Sequence, residues 1–195
     1  MGLDMYLSKD FHVAGYDFYG EEAQKKYRAI MDIVGWEPNT DTPSVDVNVT
    51  VAYWRKANAI HKWFVDKVQG GIDECQKSDV SLEELLELRD LCQDVLDKSN
   101  ELELDHWKAY AEERLPSASG FFFGDTDYDE WYINDLKSTI EQIDKIRELS
   151  KPELDKAEEW LVKQRKGEGN VISPSTDWDA MTPESTINFV YQSSW

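Results

Sequence analysis

The chain is predicted to be an α+β domain, mainly helical with a small antiparallel sheet, and three observations carry that prediction. Two segments, 3–7 and 45–51, alternate apolar and polar residues as half-buried strands do, and 187–191 is strand-like in composition. Between them lie longer stretches whose apolar residues recur every three or four positions, as on helices buried along one face. Finally, 195 residues with 41% apolar and 12% aromatic content can bury one core without covalent staples. A single domain over 1–195 is expected, with a loop-rich segment at 167–186.

Leu3-Asp-Met-Tyr-Leu7 is the first strand, and after a Gly- and Tyr-containing loop residues 21–34 place Ala23, Tyr27, Ile30 and Val34 on one helical stripe that Gly35 ends. Pro38 and Pro43 bracket a polar loop before Val45-Asp-Val-Asn-Val-Thr-Val51, a strand whose valines are expected to face the core. From Tyr53 the period becomes helical and runs to about Gln69, where Gly70 and Gly71 stop it. Ser81 with Glu84 has capping-box spacing ahead of a helix to Asp97, with Leu85, Leu88, Cys92, Val95 and Leu96 inward. The next helix, 101–115, is expected to turn Leu104, Trp107, Tyr110 and Ala111 inward and to end at Pro116. Asp127 with Glu130 can cap a helix carrying Tyr132, Leu136, Ile140, Ile143 and Ile146, and Ser150, Pro152 and Glu153 announce a further helix ending near Gly167. Ile187-Asn-Phe-Val-Tyr191 returns to strand character.

Charge is unevenly spread. Of the net -19, residues 1–70 hold 10 acids against 8 bases, and residues 71–195 hold 30 against 13. Such a surface repels phosphate backbones, so general nucleic-acid binding is excluded, while a basic partner protein is compatible with it. Solubility alone also accounts for acid-rich helix faces. No apolar run approaches the roughly twenty residues of a membrane helix, and the N-terminus lacks signal-peptide blocks and a myristoylation pattern, so a cytoplasmic protein with no membrane partner is expected. Cys75 and Cys92 are too few and too far apart for a disulfide framework and are expected as two reduced, buried thiols.

The block Tyr53-Trp-Arg-Lys-Ala-Asn-Ala-Ile-His-Lys-Trp-Phe64 concentrates two tryptophans, three cations, an asparagine and a histidine in the nearly neutral third of the chain. On a helical wheel Tyr53, Trp54, Ala57, Ile60, His61 and Phe64 share one arc, Asn58 borders it, Arg55 points away, and Lys56 and Trp63 lie on the opposite flank. If Asn58 and His61 line a pocket roofed by Trp54, they suit a nucleobase or another planar ligand. Alternatively His61 is a satisfied core histidine and the lysines are solvated. A second constellation, Ser117-Ala-Ser-Gly-Phe-Phe-Phe-Gly124 followed by Asp125-Thr-Asp-Tyr-Asp-Glu-Trp-Tyr132, places Phe121, Phe122 and Phe123 between glycines, and three consecutive rings cannot all face one core. Gly124 permits close backbone approach, and the helix that follows offers free amides, although the aspartates oppose a phosphate unless they only cap that helix. The competing account is a structural loop tucking aromatics beneath a capped helix.

Asp125-x-Asp-x-Asp is not a calcium loop, because Glu130 stands where Gly is required and Leu136 where Glu is. His12, His61 and His106 are scattered, and neither a phosphate-binding loop nor a dinucleotide fingerprint is present. No metal, cofactor or catalytic residue is therefore assigned.

The opening Met1-Gly-Leu-Asp-Met-Tyr-Leu7, the 53–64 block and Ser119-Gly-Phe-Phe-Phe-Gly124 with Tyr128-Asp-Glu-Trp-Tyr132 together resemble a family of small bacteriophage and prophage proteins, across most of residues 1–150. The resemblance implies origin more than mechanism. It places the chain in the host cytoplasm as an accessory or counter-defence factor, by context rather than by chemistry. Three functions are compatible. The first is sequestration, without turnover, of a small nucleotide-derived ligand such as a host immune signal, using Trp54, Arg55, Lys56, Asn58, His61, Trp63, Phe121, Phe122, Phe123 and Gly124. The second is an acidic interaction protein or nucleic-acid mimic that binds and inhibits a host protein, such as a host defence protein, and the third is a nucleotide-acting hydrolase or transferase. A homo-oligomer is compatible with each.

Overall fold

The structure, a computed structural model, describes residues 2–37, 41–120, 124–168 and 177–195. It is α+β, with five α-helices and a four-stranded antiparallel sheet among the described residues. The strands are β1 (Asp4–Ala14), β2 (Ser44–Arg55), β3 (Ser78–Ser81) and β4 (Asn188–Ser194), in the order β2-β1-β4-β3. The helices are α1 (Glu21–Val34), α2 (Asn58–Lys67), α3 (Leu82–Glu101), α4 (Leu104–Arg114) and α5 (Glu130–Arg165). The C-terminal strand lies inside the sheet, with Val80 of β3 opposite Phe189 and Ser78 opposite Tyr191.

The chain forms two compact units, one of residues 1–7 with 51–195 and the other of residues 8–50. The larger unit holds the core. Leu3, Met5 and Leu7 of the first strand, Leu85, Leu88, Cys92 and Val95 of α3, and Leu136, Ile143 and Ile146 of α5 are all buried in it. α3 packs against both α4 and α5, and Phe64 of α2 stacks face to face on Tyr191 of β4 with ring centroids 3.9 Å apart. Ser81 and Glu84 complete the expected capping box, which fixes where β3 ends and α3 begins. Buried polar groups are engaged: the Trp54 indole N–H donates to Thr139 Oγ1, the Trp107 indole to the Val95 carbonyl, and the Tyr132 hydroxyl to the Leu115 carbonyl.

The smaller unit buries little. Tyr27 is its one buried apolar residue among those described, and Gly15 lies so close to the Tyr27 ring that a Cβ there would fall 2.4 Å from Cδ1. Forty or so residues enclose too little volume for a core, which is why the valines of 45–49 are half-buried or exposed instead of facing inward. Along β2 the inward set changes from odd to even positions, so that Ala52 and Trp54 are buried.

Five sequence expectations shift. The helix expected from Tyr53 begins at Asn58, because the alternating, β-favouring run continues to Arg55 and Lys56 then takes a left-handed φ of 59°. The helix break expected at Pro152 is absent. α5 runs through it and gives up one backbone hydrogen bond, while burial of Ile146, Ser150 and Leu161 on either side outweighs that loss. The cap of α5 is Asp129 instead of Asp127, and Leu104, at the first turn of α4, is exposed instead of inward. β3 has only Val80 to bury, and four residues carry no period, so pairing with β4 makes it a strand. No described helix is long and apolar enough to cross a membrane.

Candidate functional site

β2 and α2 meet at a sharp junction built by Lys56. Its N–H donates to the Leu3 carbonyl and its carbonyl accepts from the Asn58 N–H, both at 2.8 Å, and these two bonds hold the left-handed φ. The turn leaves Arg55 and Lys56 side by side on the wall of a cavity of about 390 Å³, with Asn58 and Ala59 from the first turn of α2 beside them. The opposite wall comes from the segment leading into α5: Ser117, Gly124, Asp125, Asp127 and Asp129, then Trp131, Tyr132 and Asp135.

The two walls are fastened together. Asn58 Nδ2 donates to the Asp125 carbonyl at 2.5 Å, and Gly124, at φ 88°, lies against the Lys56 side chain. Tyr128 accepts from the Ser117 N–H at 3.1 Å and packs edge-on against Tyr132, which ties the 115–117 segment to the start of α5. The 53–64 block and the end of the Gly-flanked loop thus meet in one place. Phe121, Phe122 and Phe123 lie outside the described residues.

The predicted ligand residues separate into three groups. Arg55, Lys56, Asn58 and Gly124 line this cavity. Trp63 is 7% exposed, meets Phe64 edge-on, and borders a different cavity of about 530 Å³ with Lys62, Lys67 and Arg114. Trp54 and His61, expected to roof and read a ligand, are 3% and 1% exposed and belong to the core. Trp54 points inward because it sits on a strand, where its parity with Ala52 decides its direction, and not on the helical arc. His61 lies between Tyr191 Oη at 2.7 Å and Asp73 Oδ2 at 2.9 Å, and Trp195 donates to the same aspartate. Burial, then Asp73, raises the Tyr191 hydroxyl above its ordinary range, so it remains a neutral hydrogen-bonding group. This chain anchors the C-terminal strand to α2, which is the satisfied-core alternative for the histidine.

Electrostatically the cavity is two-faced. Among the described residues neither Arg55 nor Lys56 has an ion pair or side-chain hydrogen bond, although four aspartates share the cavity with them. Two of those carboxylates are occupied locally. Asp129 accepts from the N–H groups of Trp131 at 2.8 Å and Tyr132 at 3.2 Å as the cap of α5, and Asp125 accepts from the Asp127 N–H at 3.2 Å. The caution raised by the sequence, that the aspartates oppose an anion unless they cap, is thereby met for the cap residue. Asp135 differs. Its carboxyl is half-buried with no hydrogen bond among the described residues, and burial, followed by repulsion from Asp129, pushes its pKa up to about 6.

Trp131 and Asp135 were missed by sequence reasoning. Both lie one position before the apolar stripe residues Tyr132 and Leu136, and four apart on the same flank of α5. Trp131 is 76% exposed and borders the cavity. An outward tryptophan beside a helix N-cap was the available signal. Among the described residues no group of histidine, cysteine or carboxylate side chains is placed to hold a metal ion. No family model matches the chain, and no curated protein or solved structure is similar to it, so its function is argued from this geometry.

Proposed function

We propose that this protein binds and sequesters a small nucleotide-derived ligand in the cavity between the β2–α2 junction and the start of α5, without turnover. The observation that carries the reading is the adjacent pair Arg55 and Lys56, without an ion pair among the described residues of a chain of net charge -19 and facing a cavity of ligand size. Other cations, Lys26 and Lys137 among them, also lack an ion pair among the described residues, but Arg55 and Lys56 are adjacent and line one cavity. Leaving two together, with aspartates in the same cavity, is understandable if a phosphate completes them, the guanidinium by a two-pronged contact and the ammonium as a point charge. Trp131 offers an aromatic face to a base, and the Asn58 bond to Asp125 holds both walls in register. In a phage setting such a protein would deplete a host immune signal.

Calorimetry against cyclic nucleotides and ADP-ribose derivatives tests this. The expected result is micromolar or tighter binding that weakens about tenfold or more in Arg55→Ala, with the ligand recovered intact after long incubation. No heat at high micromolar ligand refutes the reading, and conversion of the ligand replaces sequestration by catalysis. A second reading, an acidic protein that binds a basic host protein, is favoured by the net -17 of residues 71–195, 30 acids against 13 bases. It requires affinity that falls steeply with salt and survives Arg55→Ala.

A further inference from the structure

We infer that Asp135 makes this cavity selective for nucleotides whose base presents amino and imino hydrogen-bond donors, guanine first, with the base stacked on Trp131 and the phosphate at Arg55 and Lys56. The inference rests on the nucleotide reading above and adds to it the chemical class of base.

Three observations lead there. Trp131 and Asp135 are four residues apart on α5, so the indole and the carboxyl are neighbours along one flank of the cavity wall. A ring lying on the indole brings its edge toward that carboxyl. Second, Asp135 is half-buried and its carboxylate has no hydrogen-bond donor among the described residues; its backbone carbonyl accepts from the Thr139 hydroxyl. A partly desolvated acceptor without a donor costs free energy that a donor brought by the ligand recovers. The upward pKa shift, caused first by burial, agrees with an absence of internal compensation. Third, the other walls differ in charge from this one, with the cations at the β2–α2 junction. A ligand with an anionic end and a donor-bearing planar end matches both, whereas a simple anion or a simple amine matches one.

The base edges rank themselves against a carboxylate. Guanine places N1–H beside its 2-amino group, two parallel donors that a carboxylate accepts together. Adenine offers one amino group next to an acceptor, and uracil offers one N–H flanked by two carbonyl oxygens that repel the carboxylate. Replacing Asp135 with asparagine keeps the shape and one acceptor but removes the charge and the paired acceptance.

The experiment is calorimetry of the full chain with GMP, AMP, UMP and the corresponding cyclic dinucleotides, for wild type, Asp135→Asn and Trp131→Ala. The guanine ligands are expected to bind about ten- to a hundredfold tighter than the uracil ligands. In Asp135→Asn that ratio falls to within about threefold, while in Trp131→Ala every base weakens, by about tenfold or more, because stacking is shared by all bases. Equal affinity for all bases in wild type overturns the inference and leaves nucleotide binding standing. A guanine preference that persists in Asp135→Asn removes Asp135 from the role. No binding of any ligand refutes both readings, and circular dichroism of each variant confirms that the fold is intact in every comparison.

Discussion

Replacing Lys56 with glycine separates the cost of its backbone from the use of its side chain. At φ 59° an L-residue sits in the left-handed region, where crowding of Cβ against the carbonyl costs about 1–2 kcal/mol. Glycine removes that crowding and keeps both backbone bonds, to the Leu3 carbonyl and from the Asn58 N–H. It also gives the unfolded chain more freedom, a cost of about 0.5–1 kcal/mol. The balance is a stabilisation of about 0.5–1 kcal/mol, or a rise in Tm of about 1–4 °C for a chain of this size. Lys56→Ala keeps Cβ and therefore the crowding, so its stability should stay within about 0.5 kcal/mol of wild type. Both variants lose the ammonium and should weaken the ligand found by calorimetry by about the same factor. The assay is urea unfolding of the three proteins, with stabilities compared at a common slope. If Lys56→Gly is less stable than wild type by more than about 1 kcal/mol, the junction is not strained and the argument from its φ fails.

Three further expectations are independent of any ligand. Asp135 has a folded pKa of about 6, above its unfolded value, so its ionisation opposes folding: the penalty is present above pH 6 and fades as pH falls toward 4. Allowing for partial solvent access it amounts to about 1–2 kcal/mol, and Asp135→Asn should gain that much near pH 8 and almost nothing at pH 4, measured by urea unfolding at both pH values. The Cys92 thiol is fully buried and its pKa is raised by burial, so a thiol reagent at pH 8 should label half-buried Cys75 in the native protein and reach Cys92 only with unfolding; prompt labelling of both would contradict the core described above. Gly15→Ala drives a methyl into the Tyr27 ring and should cost about 1–3 kcal/mol, seen as faster hydrogen exchange confined to residues 8–50.

Helix α1 and the capping box of α3 were legible in the sequence because both are local: apolar residues at helical spacing and a glycine stop define one, and two side chains three apart define the other. β3 was not, since its strand character resides in β4, more than a hundred residues away. The 53–64 block shows the limit most clearly. Its residue types draw attention to a place where Arg55, Lys56 and Asn58 line a cavity, yet the helical period starts five residues too early. On a helix Trp54 and His61 share a face; on a strand followed by a left-handed residue, Trp54 is directed by a different rule, and both end in the core. Trp131 and Asp135 carry no motif, and their relation to Lys56 is purely tertiary.

The cavity is where this protein departs from the rules it otherwise keeps. Elsewhere in the larger unit the buried polar side chains find partners: His61 has two, Trp54 has Thr139, Tyr132 has the Leu115 carbonyl, and among the described residues the exceptions are Gln69 Oε1 and Ser193 Oγ. One cavity, by contrast, gathers a strained non-glycine backbone at Lys56, an exposed tryptophan and, among the described residues, two cations without counter-ions and a half-buried carboxyl without a donor. Among the described residues the other left-handed non-glycine position is Cys75, whose backbone carbonyl accepts from Gln192 and ties the turn before β3 to β4. The strain at Lys56 and the ionised carboxyl of Asp135 cost stability that a substitution could recover, and each feature of the cavity is complemented by a different part of the proposed ligand: phosphate for the cations, a ring for the indole, base donors for Asp135. Unrelated defects would scatter over the fold. Departures that converge on one cavity, with complementary needs, are what a preorganised binding site requires.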